Sequence, residues 1–374
     1  MSAILDKLLK GRDIEWFQLG QVAEYSKSRI SYDKVDEENY VGVDNLLPNQ
    51  AGKTNSNYLP KSGTLIEYIP NDILIGNIRP YLKKIWHSDR SGGTNGDVLV
   101  IRSIYNELNP RYLYQVLSDN SFFNYNVQNS KGAKMPRGDK EAILKYLIPI
   151  PPLDVQAEIV RILDAFTAIT AELTAELNMR EKQYQYYRDK LLTFSDNEII
   201  WKSLGDVCSL GVGQAPTSNE EGKFIFMNAG TTPASYLSIY NTEGDTITTP
   251  SRGQGGIGFV AYQNDKFWCG PLCYRIKSID KSVMTKYLYY YLSKNSMQII
   301  ALANMVGVPA LNRKELITLK LPIPPLDEQK RIVEILDKFE TLTHSITEGL
   351  PKEIALRQRQ YEYYREQLLD FPKD

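Results

Sequence analysis

The sequence predicts an α+β protein built twice on one plan: a globular body followed by a long helix, then the same again. Three observations predict it. Blocks of sequence recur at a fixed offset, each recurrence opens on a proline-rich hinge that leads into an apolar-striped run, and the bodies alternate short β-like runs with turn clusters.

The repeat is direct. Residues 148–156 read IPIPPLDVQ and residues 321–329 read LPIPPLDEQ. EIVRILDAF (158–166) matches RIVEILDKF (331–339), and QYQYYRDKLLTF (183–194) matches QYEYYREQLLDF (360–371). The offset is 173 residues at the first two blocks and 177 at the third, so the second copy carries four more residues between them. A weaker match opens each half, Ile14 to Gly20 against Ile200 to Gly205. The period is far too long for a solenoid, whose units run about 20–50 residues. It marks a duplicated domain, pseudo-twofold in plan.

The hinges set the helices. Pro149, Pro151 and Pro152 forbid a helix before Leu153, and Asp154 follows as the expected N-cap; Pro322, Pro324, Pro325 and Asp327 repeat the device. Beyond the first hinge, Ile159, Ile162, Phe166, Ile169, Leu173, Leu177, Tyr184, Tyr187 and Leu191 recur at steps dominated by three and four. A run of about 38 helical residues would span roughly 57 Å. The second copy keeps Ile332, Ile335, Phe339, Leu342 and Ile346, then meets Gly349 and Pro351, where a break or kink is expected before helix resumes from Glu353 to Leu369. Neither helix can bury its stripe alone. The stripe either packs on its own body or pairs with the other helix, and near-identical stripes favour pairing, with an antiparallel arrangement setting the bodies at opposite ends. Inside the first helix, Thr170-Ala171-Glu172-Leu173 is repeated as Thr174-Ala175-Glu176-Leu177. One such tetrapeptide adds just over a turn, roughly 6 Å, which suits a spacer.

The bodies contain β-like runs at 64–69, 72–75, 98–101, 224–227 and 273–276, and helical patches at Pro110 to Leu117 and Lys286 to Ile300. Three loops carry groups suited to a polyanion and to base edges: Gly76-Asn77-Ile78-Arg79-Pro80-Tyr81-Leu82-Lys83-Lys84, the basic stretch from Lys131 through Lys134 and Arg137 to Lys140, and Ser251-Arg252-Gly253-Gln254-Gly255-Gly256. Arg and Lys suit phosphates and guanine, Asn and Gln suit adenine, and Gly permits close approach. Any one of them alone is equally an ordinary solvated loop.

Other chemistry is scarce. The chain has 374 residues, a formal net charge of −1, 42% hydrophobic residues, three cysteines and two histidines. That balance argues against non-specific coating of nucleic acid, though not against a locally basic reader. Cys208, Cys269 and Cys273 cannot form a disulfide framework, and the Cys269/Cys273 pair lacks the further ligands of a zinc site, so no metal is expected. Gly253 to Gly258 formally fits G-x-G-x-x-G, yet Pro250 precedes it and a strand-like run follows, the reverse of a dinucleotide site. Asn109-Pro110-Arg111-Tyr112 reads as a helix start. No P-loop, H-E-x-x-H or G-x-S-x-G occurs, so no catalytic residue is assigned. No membrane span or signal peptide is expected, which leaves the cytoplasm.

The twice-occurring I-P-x-P-P-L-x-x-Q-x-x-I-V-x-I-L-D-x-F block, closed each time by Y-x-Y-Y-R-x-x-L-L, resembles the specificity subunit of type I restriction–modification enzymes over nearly the whole chain. The tandem T-A-E-L resembles the IC subgroup. The resemblance implies two target-recognition domains (1–152 and 194–325), each reading half of a bipartite site on double-stranded DNA. It implies spacer helices at 153–193 and 326–374 in an antiparallel coiled coil, two docked methyltransferase subunits, and two restriction subunits as optional members. S-adenosylmethionine, ATP and Mg²⁺ would belong to those partners, with no cofactor in this chain. The DNA-contact candidates are Asn77, Arg79, Tyr81, Lys83, Lys84, Lys131, Lys134, Arg137, Arg252, Gln254 and Arg313. The rivals are a fused methyltransferase or nuclease, which would methylate or cut alone, and a helical scaffold, which would not bind DNA even with its partner.

Deleting one T-A-E-L copy is expected to shorten the unspecified spacer of the target and leave both half-sites unchanged. Methylome sequencing reads this out, and altered half-sites would refute the ruler.

Overall fold

The computed structural model describes residues 2–195 and 199–372. The chain forms two compact units, Met1–Ala171 with Leu356–Asp374, and Glu172–Ala355. The boundary falls inside the tandem T-A-E-L, in an unbroken helix, Leu153–Leu191.

Each unit holds the same body. In unit 1 the strands Ala23–Tyr25, Val98–Ser103, Ile73–Gly76 and Ile85–His87 form an antiparallel sheet in that order. Unit 2 repeats it with Cys208–Val212, Cys273–Ser278, Thr246–Pro250 and Ala261–Gln263. A second sheet differs more: Arg29–Ser31, Thr64–Tyr68, Gly92–Thr94 and Tyr40–Val41 in unit 1, against Ser235–Leu237, Phe224–Met227 and Trp268–Cys269 in unit 2. Both second sheets end in a parallel pair. The β-like runs read from the sequence lie at these strands. The helical patch at 286–300 is instead two helices, Thr285–Lys294 and Ser296–Ala301, separated at Asn295.

A two-stranded ladder brings each hinge back to the start of its body. Glu15–Gln18 pairs with Leu147–Ile150, setting Trp16 opposite Pro149, and Ile200–Ser203 pairs with Lys320–Ile323, setting Trp201 opposite Pro322. A proline is tolerated here because a two-stranded ladder leaves one edge of each strand unpaired. The helix then begins at Leu153, two residues earlier than a cap at Asp154 would allow. The Pro152 carbonyl accepts from the Val155 and Gln156 N–H groups at 2.9 and 3.1 Å, so the proline takes the cap position and Asp154 sits in the first turn. There its carboxylate, favoured by the helix dipole, accepts from Arg12 at 2.7 and 2.8 Å, and that guanidinium holds its pKa below the usual range. In the second copy Pro325 likewise caps Leu326–His344.

The interruption of the second long helix lies at 345–348, ahead of Gly349 and Pro351. Helix resumes as Gly349–Leu368, with Pro351 in the first turn, where its missing N–H is unneeded. Gly349 adopts φ +77°, and a Cβ there would stand 2.3 Å from the Thr341 carbonyl oxygen.

The apolar stripe does both things open to it. In unit 1, Val155, Ile159 and Leu163 bury against the body together with Leu368 and Phe371, and Phe166 stacks on Tyr364 at 5.1 Å and 23°. In unit 2, Ile332, Val333 and Leu336 bury against the body with Leu192, and Phe339 stacks on Tyr187 at 5.5 Å and 26°. The start of the first helix thus meets the end of the last, and its end meets the start of the second, which is antiparallel pairing. The Y-x-Y-Y-R-x-x-L-L block of each half completes the core of the unit that holds the other half's body.

Three contacts fasten each helix start to its body, and they occur in both units. Gln156 is fully buried; its Nε2 donates to the Pro151 and Glu107 carbonyls at 2.8 Å each, and its Oε1 accepts from the Asn109 N–H at 2.9 Å. Gln329, also fully buried, does the same with Pro324, Ser282 and Met284, each at 2.8 Å. Tyr112 donates to the Pro149 carbonyl at 2.9 Å and Tyr287 to that of Pro322 at 3.0 Å. About two turns further along, Asp164 accepts from Arg111 (2.9 Å) and Gln115 (3.0 Å), and Asp337 from Lys286 (2.7 Å) and Tyr290 (2.5 Å). Among the described residues no helix is long and apolar enough to cross a membrane.

Gln156→Leu keeps the volume but leaves two carbonyls and one N–H buried without partners. It is expected to cost about 2–4 kcal/mol, from roughly 1–3 kcal/mol for each group left unsatisfied with some relaxation, read as a shifted midpoint in denaturant melts. A second test is pH. Burial pushes the His87 imidazole down to about 4, its Nε2 having no partner. The folded state prefers the neutral ring, so this stabilisation is complete above the unfolded value of about 6.5 and is lost as pH falls toward 4. His87→Phe should flatten the stability profile across that window.

Candidate nucleic-acid interface

In unit 1 the strand Ile73–Gly76 runs out into the loop bearing Asn77, Arg79, Tyr81, Lys83 and Lys84. The Arg79 N–H donates to the Pro136 carbonyl at 2.7 Å, and Ile78 and Lys131 each form an isolated β-bridge with Arg137. The first two loops singled out in the sequence are therefore one composite surface. Arg79 and Lys83 both take left-handed backbone, φ +54° and +52°, at the two ends of the short turn Pro80–Leu82.

The cations divide into two groups. Lys83 donates to Asn120 Oδ1 (2.6 Å) and Lys84 to the Val43 carbonyl (2.5 Å). Lys131 pairs with Asp139 (2.5 Å) and Arg137 with Asp97 (3.0 Å). The Lys131 ammonium holds the Asp139 carboxyl below the usual range. By contrast, Arg79 and Lys134 are exposed and make no side-chain hydrogen bond or ion pair among the described residues, and Tyr81 is 52% exposed. Asn77 differs from the rest. It is 5% exposed, its backbone bonds Asp97 and Gly138, and its Oδ1 has no partner, so it shapes the loop from beneath and presents no edge outward.

Unit 2 repeats the construction. Thr246–Pro250 runs into the loop bearing Arg252 and Gln254, the Gly253 N–H donates to the Pro309 carbonyl at 3.0 Å, and Arg252 and Asn304 each bridge to Ala310. Arg252, Gln254 and Arg313 are exposed and unpaired among the described residues, with Arg313 opening the short helix Arg313–Leu316. The glycine-rich run turns through positive φ at Gly253, Gly255 and Gly258 and leads to the strand Ala261–Gln263, not to a helix.

The loop at 304–310 was missed by residue type, because it is apolar where its unit-1 counterpart is basic. The repeat offset points to it: adding 173 to Lys131 and Arg137 gives Asn304 and Ala310, the very residues that form the bridge. Its tip exposes Met305, Val306 and Val308 by 56%, 87% and 62%.

The remaining candidates fall elsewhere. Asn109 caps the helix Pro110–Leu117 by accepting from the Arg111 N–H at 2.8 Å. Cys269 and Cys273 are buried side by side, the hydrogen bond between them lowering the first thiol and raising the second. Among the described residues no group of three or more His, Cys, Asp or Glu could hold a metal ion.

Comparison with known proteins meets this geometry. The type I restriction modification DNA specificity domain matches residues 11–180 and again 198–356. The chain is 33% identical over 405 aligned positions to the EcoR124I/EcoR124II type I restriction enzyme specificity subunit of Escherichia coli, covering 99% of this chain and 97% of that one. It is 34% identical over 407 positions to a chain assigned as a type I specificity subunit in Haemophilus influenzae, covering 98% of each. The crystal structure of a type I restriction-modification S subunit from M. genitalium shares the fold, with a TM-score of 0.67 at 17% identity over 96% of this chain and 97% of that one. Two matched domains, two like bodies and full-length relatives make this chain a member of the type I restriction–modification specificity subunit family, a non-catalytic, DNA-directing component of its complex.

Proposed function

We propose that the chain reads a bipartite target on double-stranded DNA, one half-site to each body, with recognition domains at 1–152 and 194–325 and spacer helices at 153–193 and 326–374. The observation that carries this reading is the composite loop surface, built at the same place in both bodies and bearing exposed cations without protein partners. Arg79, Lys134, Arg252 and Arg313 are the first-choice phosphate or guanine contacts, with Tyr81 and Gln254 beside them. Lys83, Lys84, Lys131 and Arg137 also lie on this surface and would exchange a protein partner for DNA on binding, while Asn77 supports the loop. The tandem T-A-E-L supports an IC-like subunit with a spacer of roughly 6 base pairs, since domains held apart by a helix pair would read half-sites about one helical turn apart. Two methyltransferase subunits dock on the duplicated helices, with two restriction subunits as optional members. Those partners supply the S-adenosylmethionine, ATP and Mg²⁺ chemistry, in the cytoplasm.

The test is DNA binding by the complex with its methyltransferase. Arg79→Ala and Arg252→Ala are each expected to weaken binding. A lost phosphate contact weakens all sequences alike and lowers the salt slope by about 1. A lost base reader relaxes one target position at about 1–3 kcal/mol. If both variants keep wild-type affinity and salt dependence, the assigned loops are wrong.

A further inference from the structure

The two composite surfaces share a backbone and differ in chemistry. At the tip where unit 1 carries Lys131, Lys134 and Arg137 with one exposed apolar residue, Met135, unit 2 carries Asn304, Met305, Val306, Gly307, Val308 and Ala310 and no cation. Three apolar side chains, Met305, Val306 and Val308, stand more than half exposed within a few residues, and Gly307 between them adopts φ +73° with nothing within 4 Å of its missing Cβ. Such an arrangement is costly to leave in water, and single exposed apolar residues are common where clusters at a loop tip are not. Groups suited to a polyanion lie around it: Arg252, bridged through its backbone to Ala310 at the base of the same loop, Gln254 beside it, and Arg313 and Lys314 just beyond, with one carboxylate, Glu315, next to them.

We infer that Met305, Val306 and Val308 form the base-reading tip of unit 2, and that they select thymine C5-methyl groups in the major groove of one half-site; this rests on the DNA-reading role proposed above. The major groove is where an apolar side chain finds a specific apolar partner, because only the A·T pair displays a methyl there. The flanking cations suit the phosphates on either side, which position such a tip without specifying sequence. Valine side chains end one carbon beyond Cβ. The two valines therefore reach a methyl on a base edge and are too short to insert between stacked pairs. The two half-sites are then read by different means, polar and cationic in unit 1, apolar in unit 2.

The experiment uses the complex with its methyltransferase and a duplex carrying the target found by methylome sequencing. Thymines of one half-site at a time are replaced by uracil, which removes the methyl and nothing else. Uracil in one half-site is expected to weaken binding about three- to fourfold per methyl contacted, the size of the gain for burying one methyl-sized group. The triple variant M305S/V306S/V308S should bind thymine and uracil duplexes alike while keeping the other half-site's sequence. The inference is overturned if neither half-site contains thymine, if uracil costs nothing in either, or if the variant keeps the discrimination. It is also overturned if the variant loses its methyltransferase partner by size exclusion while assembled complexes still discriminate, because the tip is then a protein-docking contact. Failure of the wild-type complex to bind its target at all would instead refute the DNA-reading role.

Discussion

The structure depends on one buried side chain used twice. Gln156 and Gln329 each sit fully buried at the first turn of a long helix, holding a hinge carbonyl on one side and the main chain of the body on the other. The prolines before them supply no N–H groups and cannot make these bonds themselves. Without the glutamine, two carbonyls per unit would be left dry, so the helix direction is set by polar satisfaction as much as by the apolar stripe. Everything further along, the stacked Phe166 and Phe339 and the carboxylates of Asp164 and Asp337, falls into place only if the helix leaves the hinge at that angle.

The core of each unit is assembled from distant stretches of chain. Unit 1 needs Tyr361, Tyr364, Leu368 and Phe371, while unit 2 needs Tyr184, Leu191, Leu192 and Phe194. Closing such contacts across hundreds of residues costs loop entropy before any burial repays it. The long helix without Gly or Pro reduces that cost by holding its own residues in order. It also makes both cores depend on one continuous element.

Most of the fold was legible because the chain states it twice. The prolines, the stripe and the Y-x-Y-Y-R blocks each recurred, and recurrence separated signal from chance. The cap was misplaced at Asp154 because a favourable side chain outweighed the less obvious option of proline as cap. The interruption was placed at Gly349, although glycine there begins a helix with positive φ and the break precedes it. The geometry of the candidate surface was half legible. Residue type found the basic loops but could not show that Lys131 and Arg137 already face carboxylates, or that Asn77 lies below the surface. It also passed over Met305 to Val308, since an apolar tip resembles core until its exposure is known.

The glutamine at each hinge takes only main-chain groups from the body it holds. Gln156 bonds the main chain at Glu107 and Asn109, and Gln329 bonds it at Ser282 and Met284, four unlike residues offering the same carbonyl and amide. A glutamine that asks only for backbone puts few demands on the sequence it joins. The bodies are thereby released to drift, or to be replaced whole, as long as a turn of the right shape and a tyrosine for the hinge carbonyl arrive with them. A body that meets those two demands can change around the joint with the frame left as it stands.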